Sequence, residues 1–453
     1  MHYLLRTLAP TQSRPYAEAR DELVWSTALG LLQGQSLPRD RLDEGWTVAS
    51  LPGRLGGLGV RGAQFSSGPA YWASWADCLP MMRERNPALA GRLMHVLESN
   101  SDTEPGCLQE LRDSRRSLIA EGFDGCPSWT AIWDGQRPPA PERSEAGDYA
   151  HGWQFLGSST FELNRRSQML LSLSRSRRAH LRSQSGPGAN LALDTAPTGP
   201  EFALSSEKFL AIARRRLRWP LPLAAAACEG CGAELDECGD HRLACMRTGR
   251  VKRRAGALER ALARICREAG GRVRMNARLV DMNVSVPAGD AREIEVLASG
   301  LPGLGGSQVA IDTTLRSVCH ANGIPRARTH WQDGAVAADA VADKRAHYPE
   351  LAVGTRCKLV VFSMEVGGRF DAQAVEFLRL VSKARAEVAP SYLRRLTAEA
   401  LFSRWSRLAA VAAASSWAAS VLSETRDGAD EGFPDGGPLW VPDLLSDERP
   451  LLQ

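Results

Sequence analysis

Two groups of residues in this 453-residue chain combine types and spacings suited to chemistry. Cys228, Cys231, His241 and Cys245 form a Cys-x2-Cys-x9-His-x3-Cys pattern with Gly230 and Gly232 around the second cysteine. Zinc takes four soft or borderline ligands at a tetrahedral centre, and a two-residue gap lets one tight turn deliver two thiolates to it. His241 and Cys245, four apart, share one face of a short helix and can close the site. Four ligands with no spare position describe a structural zinc. Cys238 is a possible competing ligand, and unliganded cysteines in a loop are the alternative. Ten cysteines are too sparse for a disulfide scaffold.

The second group is acidic. Asp312 lies between Ile311 and Thr313 in an apolar segment, where a carboxylate is costly unless it is paired or bound to a cation. Glu295 and Glu365 pose the same problem in neighbouring segments. Three strand-borne acids converging with Lys344 can hold Mg²⁺ and orient a water for attack on a phosphodiester, the lysine stabilising the charge that develops. Alternatively, Glu295 lies on an exposed strand face and pairs with Arg292 or Arg316. The side of the sheet that Asp312 faces decides between the two.

Around these residues, 251–425 reads as an α/β unit with C-terminal helices. An amphipathic helix from Ala257 to Ala269 stops at Gly270-Gly271. Strands are expected at Arg272 to Asn276, Arg292 to Leu297 and Gln308 to Leu315. A helix from Val336 to Tyr348, an apolar strand from Leu359 to Val366 and two long helices follow. The order is αβββαβ.

Residues 1–150 read as mainly helical and 151–222 as a basic linker region. The knuckle occupies 223–250, and a disordered tail is expected over 426–453. In Leu55-Gly56-Gly57-Leu58-Gly59 the glycines imply a backbone that turns sharply or lies against something. Trp72, Trp75 and Leu79 fall on one side of a helix, a core face before it is a stacking surface.

The net charge of +4 is small, so the distribution of charge carries any nucleic-acid argument. Arg214, Arg215, Arg216 and Arg218 precede the knuckle, and Arg250, Lys252, Arg253 and Arg254 follow it with no acidic residue between Arg242 and Arg254. Phosphate contact is their expected use, and a solvated helix face is the alternative. Hydrophobic residues at 43% and charged residues at 24% suit a folded chain. No apolar run spans a bilayer, the Ala-rich Leu408 to Leu422 being better read as a packed helix, and Met1 to Pro10 lacks a secretory pattern. A nuclear location, or a cytoplasmic one before import, is expected.

Taken in order, the Cys-Cys-His-Cys knuckle, Arg292-x-x-Glu295, Asp312-x-Thr314 and Lys344-x3-Tyr348 resemble the C-terminal part of non-LTR retrotransposon polyproteins that carry a restriction-like endonuclease. His2-Tyr3-Leu4-Leu5-Arg6, the glycine segment and Tyr71-Trp72-Ala73-Ser74-Trp75-Ala76-Asp77 resemble the thumb-like region after that family's polymerase palm. The resemblance implies a PD-(D/E)xK endonuclease that nicks target DNA to prime reverse transcription of element RNA. Glu295 and Asp312 would hold Mg²⁺, Lys344 would assist the water, Glu365 would be an auxiliary acid, and the knuckle would position nucleic acid. Glu295 stands where the family usually has Asp, Glu293 replaces a proline, and Thr314 occupies a position where many such nucleases have lysine. The chain has no Asp-Asp pair, so a polymerase palm is not expected in it; a polymerase-bearing partner or a missing N-terminal region is implied. A catalytically inactive, zinc-containing nucleic-acid-binding remnant is the competing expectation.

Overall fold

The computed structural model describes residues 2–99, 106–139, 152–223 and 227–422, in two compact units. The tail expected over 426–453 lies outside the described residues. The first unit joins residues up to Leu55 with Gly59–Ser172, and the second joins Gly56–Leu58 with the chain from Leu173 onward.

The first unit is helical. Its central helix, Ala63–Arg85, buries Tyr71, Trp72, Ala73, Ala76 and Leu79, and Trp75 is half-buried. Trp72 meets Phe123 and Trp153 edge-on, with ring centroids 5.9 Å apart in both pairs. The aromatic stripe is therefore core. The carboxylate of Asp21, itself buried, accepts hydrogen bonds from the backbone N–H groups of Ala63 (2.8 Å) and Gln64 (3.1 Å). It thus satisfies donors that a helix start leaves open and meets the positive end of the helix dipole.

The second unit contains α1 (Ser206–Arg216), α2 (Ala255–Glu268), β1 (Arg272–Arg278), β2 (Glu293–Ser299), β3 (Gln308–Arg316), α3 (Ala335–His347), β4 (Cys357–Glu365), α4 (Ala372–Ala386) and α5 (Arg394–Leu422). The sheet order is β1-β2-β3-β4. β1, β2 and β3 are antiparallel neighbours, while β4 runs parallel to β3 after the crossover through α3. This is the expected αβββαβ order in a mixed sheet.

Alternation along the strands loads both faces. Val296, Val309, Ile311, Phe362 and Met364 pack with Leu258, Leu262 and Ile265 of α2 and with Trp405 and Leu408 of α5. Leu297, Ala310, Leu359 and Val361 pack with Val341 of α3 and with Tyr348 and Leu351. The Ala-rich run lies inside α5, where Ala409, Ala412, Ala413 and Trp417 are buried. Small side chains there let other elements approach closely. No helix among the described residues is long and apolar enough to cross a membrane.

The segment read as a basic linker is folded. Trp153–Ser172 is a helix of the first unit, whereas Arg175–Ser183 and α1 belong to the second. Gly56 has φ +100, and a Cβ there would lie 2.7 Å from a Leu181 methyl group and 3.0 Å from the Leu181 carbonyl oxygen. Close backbone approach explains that glycine.

Candidate functional site

The β2/β3 ladder ends at Val296↔Ile311, and Glu295 and Asp312 are the next residue on each strand beyond that last rung. The two carboxyl groups come within hydrogen-bonding reach of each other. On the other side of β2, Asn276 of β1 has a left-handed φ of 49 between the paired positions Met275↔Val296 and Ala277↔Ile294. Glu295 thus sits where the sheet loosens on both sides. Sequence periodicity places an acid on a strand but does not reveal where a ladder opens.

Asp312 is fully buried, and Lys344 Nζ donates to its Oδ2 at 2.7 Å. Lys344 lies in the last turn of α3, the helix packed on that face of the sheet. Tyr348, just past the helix end, donates its hydroxyl to Glu293 O at 2.8 Å and so ties the end of α3 to β2. The i to i+4 spacing of Lys344 and Tyr348 places both over the acids.

Burial, and then the facing Asp312, push the Glu295 carboxyl up to about 8. Burial also raises Asp312, although Lys344 opposes it. Both carboxyls are thus pushed toward their neutral forms, and a divalent cation would compete with protons for them. Glu295 Oε2 and Asp312 Oδ1 are buried without hydrogen-bond partners, as are the hydroxyls of Thr313 and Thr314. Orphaned carboxylate oxygens on two adjacent strands have the donor chemistry of a hard-cation site, so the residues present fit Mg²⁺.

Glu259 of α2 joins the cluster, and the sequence offered no sign of it. It follows Leu258 on the buried stripe and looks like an ordinary flanking polar residue. Burial raises its carboxyl, and the negative charge of Asp312 adds to the rise. Glu259, Glu295 and Lys344 line one groove of about 1720 Å³, together with Arg250, Lys252, Arg253, Arg254, Arg260, Arg316 and Arg326. Glu259 and Glu295 therefore face the same space as the basic segment after the knuckle, while Asp312 lies buried beneath it, reached through Lys344.

Glu365 is set apart. Its partner in the β3/β4 register is Arg316, whereas Asp312 pairs with Val361. Four residues of strand separate the two levels, roughly 13 Å. Glu365 is buried and raised by that burial, and its carboxyl takes hydrogen bonds from Ser183 and from the backbone N–H of Ala337 in the first turn of α3. It serves the start of the helix that carries Lys344 at its end.

The four expected metal ligands converge. Their donor atoms all lie within 4.8 Å of one another. Cys245 Sγ is 3.9 Å from both Cys228 Sγ and Cys231 Sγ, and Cys231 Sγ is 3.2 Å from His241 Nε2. A tetrahedron with Zn–S of about 2.3 Å has sulfur–sulfur edges near ~3.8 Å. This cluster can bind a metal such as zinc. His241 Nδ1 contacts Ala321 O at 2.9 Å, which favours the tautomer that leaves Nε2 free to ligate. Burial opposes ionisation of Cys228, but hydrogen bonds from the N–H groups of Gly230 and Cys231 outweigh it and hold the thiol at about 6. Cys238 stands outside the cluster, buried with its sulfur 4.0 Å from Trp219 O.

The basic residues divide. Arg215 is buried and donates to Asp240 Oδ1 (2.6 Å) and Cys238 O (2.7 Å). Arg218 also clamps Asp240, at 2.6 and 3.1 Å. Arg216 is buried against the carbonyls of Gly56, Ala189 and Gln184. Their expected phosphate contact is thus corrected: the guanidiniums satisfy carbonyls and a buried carboxylate that would otherwise lack partners. Arg214 is half-buried, its guanidinium lowered by burial. Arg254 is buried between the carbonyls of Leu243 and Leu315, so it too is structural although it borders the groove. Arg250 pairs with Glu229 and donates to Ser420 O. Lys252 and Arg253 are the exposed cations of the run, Arg253 bonding Thr248 O. Glu295 pairs with neither Arg292, which binds Asp290 and Glu350, nor Arg316, which binds Asp343.

No protein-family model and no curated protein matches this chain.

Proposed function

We propose that the groove is the active site of a metal-dependent DNA endonuclease with a restriction-like PD-(D/E)xK arrangement, derived from a non-LTR retrotransposon. The supporting observation is the juxtaposition of Glu295 and Asp312 with orphaned oxygens, the Lys344 ammonium bonded to Asp312, and exposed cations along one groove. Buried Asp240, by contrast, is clamped by two arginines. Glu295 and Asp312 have one lysine between them.

Glu295 and Asp312 would hold the divalent cation, which when bound supplies Lewis acidity to the scissile phosphate. Lys344 keeps Asp312 oriented and presents positive charge where negative charge grows on the phosphoryl oxygens. Lys252 and Arg253 on the rim suit phosphate contacts that hold the strand. Water adds to phosphorus, the P–O3′ bond breaks, and the departing oxygen takes a proton to give a 3′ hydroxyl. In this reading the hydroxyl primes copying of element RNA, and the polymerase comes from a partner or from a preceding region. The protein then works in the nucleus.

The purified chain with Mg²⁺ should nick supercoiled plasmid, and Asp312→Asn should abolish nicking while leaving DNA retention intact. Equal nicking by the variant rejects this site. Retention without any nicking by the wild type favours the silent binding remnant.

A further inference from the structure

Two polar ties connect the knuckle with β3 and the segment that leaves it, both downstream of Asp312. Arg254 Nη1 donates to Leu243 O in the short knuckle helix Asp240–Ala244 at 2.6 Å, and its Nη2 donates to Leu315 O on β3 at 2.5 Å, three residues past Asp312. His241, through the nitrogen that faces away from the cysteines, contacts Ala321 O in the segment leaving β3 at 2.9 Å. Ser416 of α5 in turn donates to Arg254 O at 2.6 Å. The guanidinium is buried, and each carbonyl it holds would otherwise lose a partner in the interior. Within the knuckle, Gly230 lies so close to Arg247 and Thr248 that a Cβ would approach their backbone to 2.9 Å.

We propose that the zinc knuckle is a wall of the acid groove and not a separate binding module, with Arg254 as the positioning residue through which metal occupancy at Cys228, Cys231, His241 and Cys245 sets the geometry of Asp312. This rests on the reading of Glu295 and Asp312 as a cation site. Zinc holds the knuckle helix, the helix carbonyl holds one edge of the guanidinium, and the other edge holds the end of β3. Loss of zinc therefore loosens the strand that carries Asp312, and loss of Arg254 cuts the link while leaving the zinc ligands in place.

The test is the luminescence of Tb³⁺, a hard oxygen-seeking probe, on the full chain, with zinc content measured on the same samples. Asp312→Asn sets the baseline. Removing zinc with a zinc-selective chelator should weaken Tb³⁺ binding by about tenfold or more, with the far-ultraviolet dichroism of the sheet and helices retained. Arg254→Met should keep one zinc per chain, bind Tb³⁺ as weakly as the zinc-free wild type, and lose no further affinity on chelation. Arg254→Lys, which can still bridge one carbonyl, should recover part of it and guards against a Met variant that fails to fold. Unchanged affinity after zinc removal, or effects of chelation and Arg254→Met that simply multiply, overturns the coupling. If zinc-loaded wild type and Asp312→Asn bind Tb³⁺ alike, the cation site itself is wrong and the coupling falls with it.

Discussion

Lys344 and Asp312, 32 residues apart in the chain, are joined by a 2.7 Å hydrogen bond between a partly exposed ammonium and a fully buried carboxylate. The crossover through α3 between parallel strands makes this possible, because it returns the helix over the strand it has just left. The asymmetry of exposure has an energetic consequence: Asp312 depends on Lys344 far more than the reverse.

Lys344→Met should therefore destabilise the second unit by ~1–3 kcal/mol at pH 7, since it strands a buried carboxylate, and adding Asp312→Asn should restore most of that loss. Denaturant titration of the single and double variants measures the coupling. Additive losses would mean that the pair does not interact in solution.

Glu259→Gln should lower Mg²⁺-dependent nicking about tenfold or more without weakening DNA retention, because it removes a carboxylate beside the acids and leaves every cation of the groove in place. Plasmid nicking measured beside filter retention separates the two. Wild-type nicking by this variant would remove Glu259 from the site.

The arginine run before the knuckle and the basic segment after it should behave differently. Arg215→Met should cost about 3 kcal/mol of stability, because Asp240 loses a buried partner, and should leave the salt dependence of DNA binding unchanged. Lys252→Ala combined with Arg253→Ala should leave stability within ~0.5 kcal/mol and reduce the slope of log affinity against log salt by roughly 1 to 2. The opposite pattern would return Arg215 to the interface.

Acid should destabilise the second unit through His180. Burial, and then the nearby Arg218, lower this imidazole to about 4, against about 6.5 in an unfolded chain. Between those values the unfolded chain holds the proton and the folded one does not. Stability is therefore complete above pH ~6.5 and is lost as pH falls through the folded value, a few kcal/mol in all. Denaturant unfolding at pH 7 and pH 5 should show the loss, and His180→Gln should flatten it. A slope unchanged in the variant would assign the acid sensitivity elsewhere.

Trp72→Ala should cost about 3–5 kcal/mol in the first unit with no change in nucleic-acid retention. Loss of retention at full stability would mean that this ring stacks on bases.

Much of the local order was legible in the residues themselves. The αβββαβ succession follows from alternating or continuous apolar strands, an amphipathic helix and glycine stops, and its boundaries shifted by at most a few residues. The convergence of Cys228, Cys231, His241 and Cys245 follows from spacing alone, because a turn and one helical step determine where four nearby side chains can point.

The arginines show the opposite. Arg215, Arg216 and Arg218 look identical in sequence to a phosphate-binding run, yet each finds carbonyls or Asp240 that arrive from distant segments. A cationic run reports charge, and charge alone does not distinguish solvent from interior. Glu365 likewise reads as a member of the acidic set until the β3/β4 register displaces it along the strand.

Residue type and short spacing therefore settled which elements form and where a metal can be gathered, because those depend on contacts within a few positions along the chain. Strand register, the loosening of the sheet at Glu295 and the entry of Glu259 and Lys344 were decided only by the packed fold. Those depend on which distant carbonyls and carboxylates must share a buried space, and no local pattern encodes that.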